Sequence, residues 1–192
     1  MKPFIYIIIP TTKERREQTD RLLTSIRENT DIPHAVVLYE NDDKGWVVAL
    51  HRVLAGIEGY VMLLGCDTVV HEGWLSTLWK AFIKKFPKGE GVAEPYNELW
   101  NGKLCQHPMG HSSVIKQYLD RDFIHNWSDN WMTDRLNEKK LYLYVPEAKI
   151  EHRHWINGKA AMDKTYQTLM ESSDRDRETY IRKTNELHDK TR

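Results

Sequence analysis

Apolar residues follow two rhythms along this chain. Phe4–Ile9 is an unbroken apolar, largely β-branched run, the pattern of a strand buried on both faces. Pro10-Thr11-Thr12 ends it. Over residues 15–29, Leu22, Leu23 and Ile26 recur at helical spacing among charges, which predicts an amphipathic helix. Ala35–Tyr39 predicts a second short strand, and residues 40–45 a polar loop of turn formers. Trp46–Ile57 predicts a second helix, closed by Gly59. Tyr60–Leu64 predicts a third buried strand, running into Gly65-Cys66-Asp67-Thr68. Trp74–Phe86 predicts a third helix, with Pro87 and Gly89 just beyond it.

The second half is less regular. Residues 89–106 read as a loop, with a turn at Asn101-Gly102. Ser112–Tyr118 fits either a strand or a short helix, and Asp129–Glu138 a helix. Leu141–Val145 predicts a strand stopped by Pro146. From Gly158 onward, alternating charge signs and helical spacing predict one or two solvated helices.

Strand–helix alternation through the first ninety or so residues predicts an α/β domain with a largely parallel sheet. Ligands of such sheets sit at the carboxyl ends of the strands. Those ends carry Thr11, the Glu40-to-Asp43 loop and Asp67.

Composition narrows the function classes. A chain of 192 residues suits one domain with a real core. Lys and Arg total 28, as do Asp and Glu, so bulk charge does not favour nucleic acid or an anionic membrane. Seven Trp and nine Tyr exclude a disordered chain and predict an aromatic-lined groove or pocket. Two cysteines cannot build a disulfide scaffold. The opening apolar run is too short to cross a bilayer and lacks the features of a signal peptide, so a soluble, cytoplasmic protein is expected. Asn126-Trp127-Ser128 fits a glycosylation sequon but has no use without secretion. Cys105, His107 and His111 are zinc-binding residue types, but no fourth ligand or known spacing accompanies them.

Several stretches then line up. Phe4 to Arg15 is a strand closing in a proline–threonine–arginine turn, and Leu22–Ile26 lies in the helix after it. Val36–Asp42 is a strand ending in acids. Gly56–Thr68 carries Asp67 after a strand, and Glu72–Leu75 opens a helix. Trp127-Ser128-Asp129 leads to Arg135, followed by Leu143–Ala148 and His152. In this order and spacing they resemble the family-two glycosyltransferases of GT-A fold, over about residues 4–154. Four positions depart from the family pattern. Gly65 replaces the first acid of Asp-x-Asp, Ser128 the first acid of a Glu-Asp pair, Glu40 an aspartate and His51 an asparagine.

The resemblance implies a Rossmann-like, mixed but mostly parallel sheet flanked by helices, with a helical C-terminal tail. It implies a nucleotide-sugar-binding catalytic domain over residues 1–155 and an extension over 156–192. It further implies an inverting, metal-dependent glycosyltransferase that takes a sugar from a nucleotide-diphospho sugar, a UDP-sugar by preference, to a hydroxyl acceptor. Asp67 and His152 would hold Mn2+ or Mg2+, with His154 a second candidate. The cation would offset the charge of the leaving diphosphate. Asp129 would take the acceptor proton. Thr11, Glu40 and Asp42 would meet the nucleotide base, and Arg15 or Arg16 the phosphates. His107 and His111 would reach the donor sugar. Trp100, Trp127, Trp131 and Trp155 are candidates for stacking on a sugar or for the core.

Simpler roles compete with these. Asp67 suits a turn, Asp129 a helix N-cap, and Arg15 an exposed helix face. A nucleotidyltransferase is an alternative, but Pro10-Thr11-Thr12-Lys13 lacks the glycines of its phosphate loop. A nucleotide-sugar-binding protein without transferase activity is another, favoured by Gly65 and Ser128. The acceptor stays open among a glycan, a lipid-linked sugar and a modified DNA base. The tail is a candidate lid, dimer or acceptor element.

Overall fold

A computed structural model of the chain describes residues 3–40 and 45–190. Seven strands, β1 (Ile5–Thr11), β2 (His34–Glu40), β3 (Tyr60–Leu63), β4 (Thr68–Val70), β5 (Val92–Tyr96), β6 (Met109–His111) and β7 (Tyr142–His152), form one sheet in the order β2-β1-β3-β6-β5-β7-β4. Pairs β1–β2, β1–β3 and β5–β7 are parallel; β6 runs antiparallel to β3 and β5, and β4 antiparallel to β7. The helices are α1 (Arg16–Asn29), α2 (Trp46–Ala55), α3 (Trp74–Lys85), α4 (Ser112–Tyr118), α5 (Ser128–Glu138), α6 (Lys164–Glu171) and α7 (Ser173–Lys190). The expected mixed, α/β architecture with a helical C-terminal end is what the chain adopts.

The run of isoleucines explains why the sheet is covered twice. Ile5, Ile7 and Ile9 point to one face, where they meet Leu22 and Ile26 of α1 and Trp74, Leu78 and Phe82 of α3. Ile8 points to the other, where it meets Val47 and Leu50 of α2, Ile115 of α4 and Met132 and Leu136 of α5. Burying each such side chain contributes roughly 1.5–3 kcal/mol, so β1 is the central seam of the fold.

Some elements differ from the sequence pattern. The stretch read as a loop contains β5, and the short β4 and β6 carried no readable alternation. Ser112–Tyr118 is a helix. The helix beginning at Trp46 stops at Ala55 rather than at Ile57. β1 continues through Pro10, because β3 pairs only as far as Ile8 and no ladder partner is lost there. β7 likewise continues past Pro146. Its register against β5 jumps from Pro95–Val145 to Tyr96–Lys149, so residues 146–148 form a bulge in which proline's missing N–H costs nothing.

The C-terminal helices are joined to the rest by buried polar contacts. Asp176 of α7 is fully buried and accepts the backbone N–H groups of Ile124 and His125 at 2.9 and 2.8 Å. Tyr180 donates to Asp134 at 2.6 Å and packs over Trp127. Asn126 donates to the carbonyl of Leu169 at 2.6 Å. These contacts hold the segment that leads into α5.

Candidate active site

A cavity of about 550 Å³ opens where the parallel strands β1 and β3 end. Its size is that of a small-molecule site. Thr11 ends β1 and Thr12 and Arg15 follow it; Gly65, Cys66 and Asp67 follow β3; His152 closes β7; and Asp129 lies in the first turn of α5.

The β4–β7 register brings Asp67 to His152. Thr68 is the partner of His152 in the ladder, and Arg153 donates its N–H to the Asp67 carbonyl at 2.8 Å. Asp67 Oδ1 then faces His152 Nε2 at 3.5 Å. Oδ2 accepts from the Tyr166 hydroxyl at 2.7 Å and from Arg15 Nη1 at 3.5 Å. Burial alone would raise the Asp67 pKa, but the hydrogen bond and charge of His152, the charge of Arg15 and the Tyr166 hydroxyl outweigh it. The carboxyl is held far below the usual range and is ionised.

Arg15 belongs to a single 3-10 turn, Lys13–Arg15, between β1 and α1, and points inward rather than along an exposed helix face. Its Nε and Nη2 each donate at 3.0 Å to separate oxygens of Asp163, and its guanidinium lies 3.9 Å over the Tyr166 ring. Burial works against its charge, yet Asp163 and Asp67 raise its pKa.

Gly65 has a steric role in place of the missing acid. A Cβ there would stand 2.6 Å from Asp67 Oδ1, so glycine is what lets the carboxylate fold back towards His152. Ser128 is also structural. Its hydroxyl is buried, donates to the His125 carbonyl at 2.8 Å and accepts from the Trp46 indole at 3.2 Å.

Asp129 is half-buried on the cavity wall. It accepts from Asn130 N–H at 2.9 Å and Gln106 Nε2 at 3.4 Å. Burial raises its pKa despite these bonds. A carboxylate tuned upward in a pocket is the chemical form a general base needs. Trp127, just before α5, takes a left-handed backbone with φ of 61° and presents its ring to the cavity.

A ring of histidines completes the floor. His107 packs edge-on against His152 at 4.9 Å, and its N–H donates to the buried Glu94 carboxyl at 2.8 Å. Burial pushes Glu94 up and His107 down, each towards its neutral form. Burial likewise lowers His125 to about 3 and His154 to about 4.

Of the residues singled out in the sequence, Thr11, Arg15, Asp67, Asp129 and His152 line this one cavity, with His107, Trp100 and Trp127. Glu40 is exposed at the end of β2, beside Thr11 in the ladder but off the cavity wall. Asp42 lies outside the described residues. Arg16 is exposed and pairs with Asp20. His111 caps α4, away from the cavity, and Trp131 is a core residue. Cys105 is buried, with its backbone N–H on Thr133. Among the described residues no group of three His, Cys, Asp or Glu side chains is placed to hold a metal ion. Asp163 and Tyr166 escaped the sequence reading. Nothing in the local pattern links them to residues 148 and 99 positions earlier.

No protein-family model matches the sequence. No curated protein matches it either. Solved structures do. A glucosyl-3-phosphoglycerate synthase from Mycobacterium tuberculosis, in complex with Mn2+, UDP and glucosyl-3-phosphoglycerate, superposes with a TM-score of 0.54 at 13% identity, over 79% of this chain and 72% of that one. The mannosyltransferase PcManGT from Pyrobaculum calidifontis, with GDP-Man and Mn2+, gives 0.58 at 12% identity, over 79% and 57%. TarS from S. aureus gives 0.54 at 12% identity, over 79% and 60%.

The chain has the GT-A fold.

The chain thus spans under two thirds of the length of PcManGT and TarS, and about seven tenths of the synthase. Among the described residues of this GT-A chain, no helix is long and apolar enough to cross a membrane.

Proposed function

We propose that the chain transfers a sugar, with inversion, from a nucleotide-diphospho sugar to a hydroxyl acceptor. One observation carries the reading. Arg15, Asp67, Asp129 and His152, from four separate parts of the sequence, converge on one cavity at the carboxyl ends of parallel strands. The fold neighbours include proteins solved with Mn2+ and UDP or GDP-Man, which supports a nucleotide-sugar donor.

Asp67 and His152 would hold a divalent cation. Asp67 Oδ1 and His152 Nε2 face each other at 3.5 Å, and one carboxylate oxygen with one imidazole nitrogen is a donor set manganese accepts. Two protein ligands suit a cation that takes its remaining oxygens from a diphosphate and water. When bound, the cation supplies Lewis-acid neutralisation of the leaving diphosphate.

The protein's own groups do the rest. Arg15, fully charged, faces the phosphates. Thr11, with Glu40 beside it in the ladder, would meet the nucleoside together with Asp42, and uracil is the preferred base. Asp129 removes the acceptor hydroxyl's proton as that oxygen attacks the anomeric carbon. The bond from that carbon to the diphosphate breaks on the opposite side, and the electron pair leaves with the nucleotide.

Calorimetry with UDP, GDP and MnCl2, followed by transfer assays on a panel of UDP- and GDP-sugars, tests the reading. Metal-dependent nucleotide binding that vanishes in Asp67→Ala is the expected result. Binding of neither nucleotide would sink the proposal. Donor binding with no transfer or hydrolysis would leave a binding module instead.

A further inference from the structure

The two oxygens of the Asp67 carboxylate have different surroundings. Oδ2 is engaged by the Tyr166 hydroxyl at 2.7 Å and by Arg15 at 3.5 Å. Oδ1 faces His152 and the position where a side chain at Gly65 would stand. Arg15 is itself forked onto Asp163 and stacked on Tyr166. Asp163 and Tyr166 are locked together as well, since Asp163 caps α6 by accepting the Tyr166 N–H at 2.9 Å. One helical turn of α6 therefore grips both Arg15 and Asp67.

We propose that Asp163 and Tyr166 are positioning residues. They fix Arg15 and turn the Asp67 carboxylate so that Oδ1 is the oxygen left for a cation shared with His152. The proposal rests on the donor reading above and deepens it.

The physical case has three parts. A carboxylate rotates easily about its last torsion, and a hydrogen bond from a tyrosine removes that freedom before the ligand arrives. A guanidinium held by two parallel N–H···O bonds keeps its plane and direction, which a single contact would not ensure. The α6 turn is also coupled to the cavity wall, since Thr165, Thr168 and Leu169 line it beside Tyr166. A purely structural staple between tail and sheet would not need both members aimed at Arg15 and Asp67 in the pocket.

The test uses the full chain with Tyr166→Phe, Asp163→Asn and Asp163→Glu, titrated with UDP, GDP and uridine, each with MnCl2 and with EDTA. Tyr166→Phe keeps the ring that stacks on Arg15 and removes only the hydroxyl. It is expected to weaken manganese-dependent nucleotide binding ~10- to 100-fold, with little change in EDTA or in melting temperature. Asp163→Asn is expected to weaken UDP relative to uridine, and Asp163→Glu to restore part of the difference. Equal losses with and without manganese, accompanied by a lower melting temperature, would mark a structural staple and overturn the proposal. Unchanged affinities in all three variants would also overturn it. If the unaltered protein binds neither nucleotide, the donor reading and this proposal fall together; if it binds and the variants match it, only the positioning role falls.

Discussion

A Cβ built on Gly65 would stand 2.6 Å from Oδ1 of Asp67. The carboxylate cannot simply swing aside, because Tyr166 and Arg15 hold its other oxygen. Gly65→Asp would create the Asp-x-Asp of the glycosyltransferase pattern in sequence while displacing Asp67, the proposed metal ligand. Gly65→Ala and Gly65→Asp are both expected to weaken manganese-dependent nucleotide binding by ~10-fold or more, the scale of a disturbed ligand shell. Calorimetry checks this, and tighter binding by Gly65→Asp would refute it.

Asp129 couples activity to stability in opposite directions. As the proposed base it must be ionised, and burial raises its pKa. Transfer should therefore fall as the pH drops through that raised value, above the ordinary carboxylate pKa of about 4. A group whose folded pKa is raised stabilises below its unfolded pKa, and that contribution is lost as pH rises through the folded value. At neutral pH the ionised carboxylate is thus a burden on the fold. Asp129→Asn should lower kcat ~100- to 10,000-fold while raising Tm. A kcat–pH profile and a melting curve, run on the same preparation, decide it.

His125 should report through acid stability. Its folded pKa, depressed to about 3, lies below the unfolded value of about 6.5. Between those values the unfolded chain takes up a proton that the folded chain does not, so stability falls as the pH falls through this window. The buried Nδ1 also finds no hydrogen-bond partner among the described residues. His125→Phe should flatten the stability profile between pH 6.5 and 3 relative to the parent. Parallel urea-midpoint curves for the two proteins would rule this out.

Ser128 is a fitted core hydroxyl rather than a lapsed acid. Replacing it with Asp would place a charge beside the His125 carbonyl, which cannot donate to it, and next to the Trp46 indole. Ser128→Asp is expected to cost roughly 1–3 kcal/mol or more and to add no transfer activity. Denaturant titration with a transfer assay measures both.

The sequence made the first three strands and helices legible because Ile5–Ile9, Leu22–Ile26 and Trp74–Phe86 carry strong periodicity. Arg15, Asp67, Asp129 and His152 were legible because strand ends and helix starts are where polar groups reach a pocket. What stayed hidden has physical reasons. β4 and β6 are three residues long, too short for alternation to register. Pro146 looks like a stop until the bulge opposite Tyr96 is seen. Gly65 and Ser128 read as losses because a clash or a buried hydroxyl partner exists only in three dimensions. Asp163 and Tyr166 act on residues 148 and 99 positions away, and no local pattern encodes that.

The distance from Asp67 to Tyr166 along the chain, 99 residues, is also an interval of time. At ~5–20 residues per second of synthesis, it separates the two by several seconds or more on the ribosome. The strands through β7 are made before α6 begins, so a nascent sheet carries Arg15 and Asp67 without their tyrosine and aspartate partners. Arg15 and Asp67 therefore wait for α6 to follow the sheet before their partners reach them.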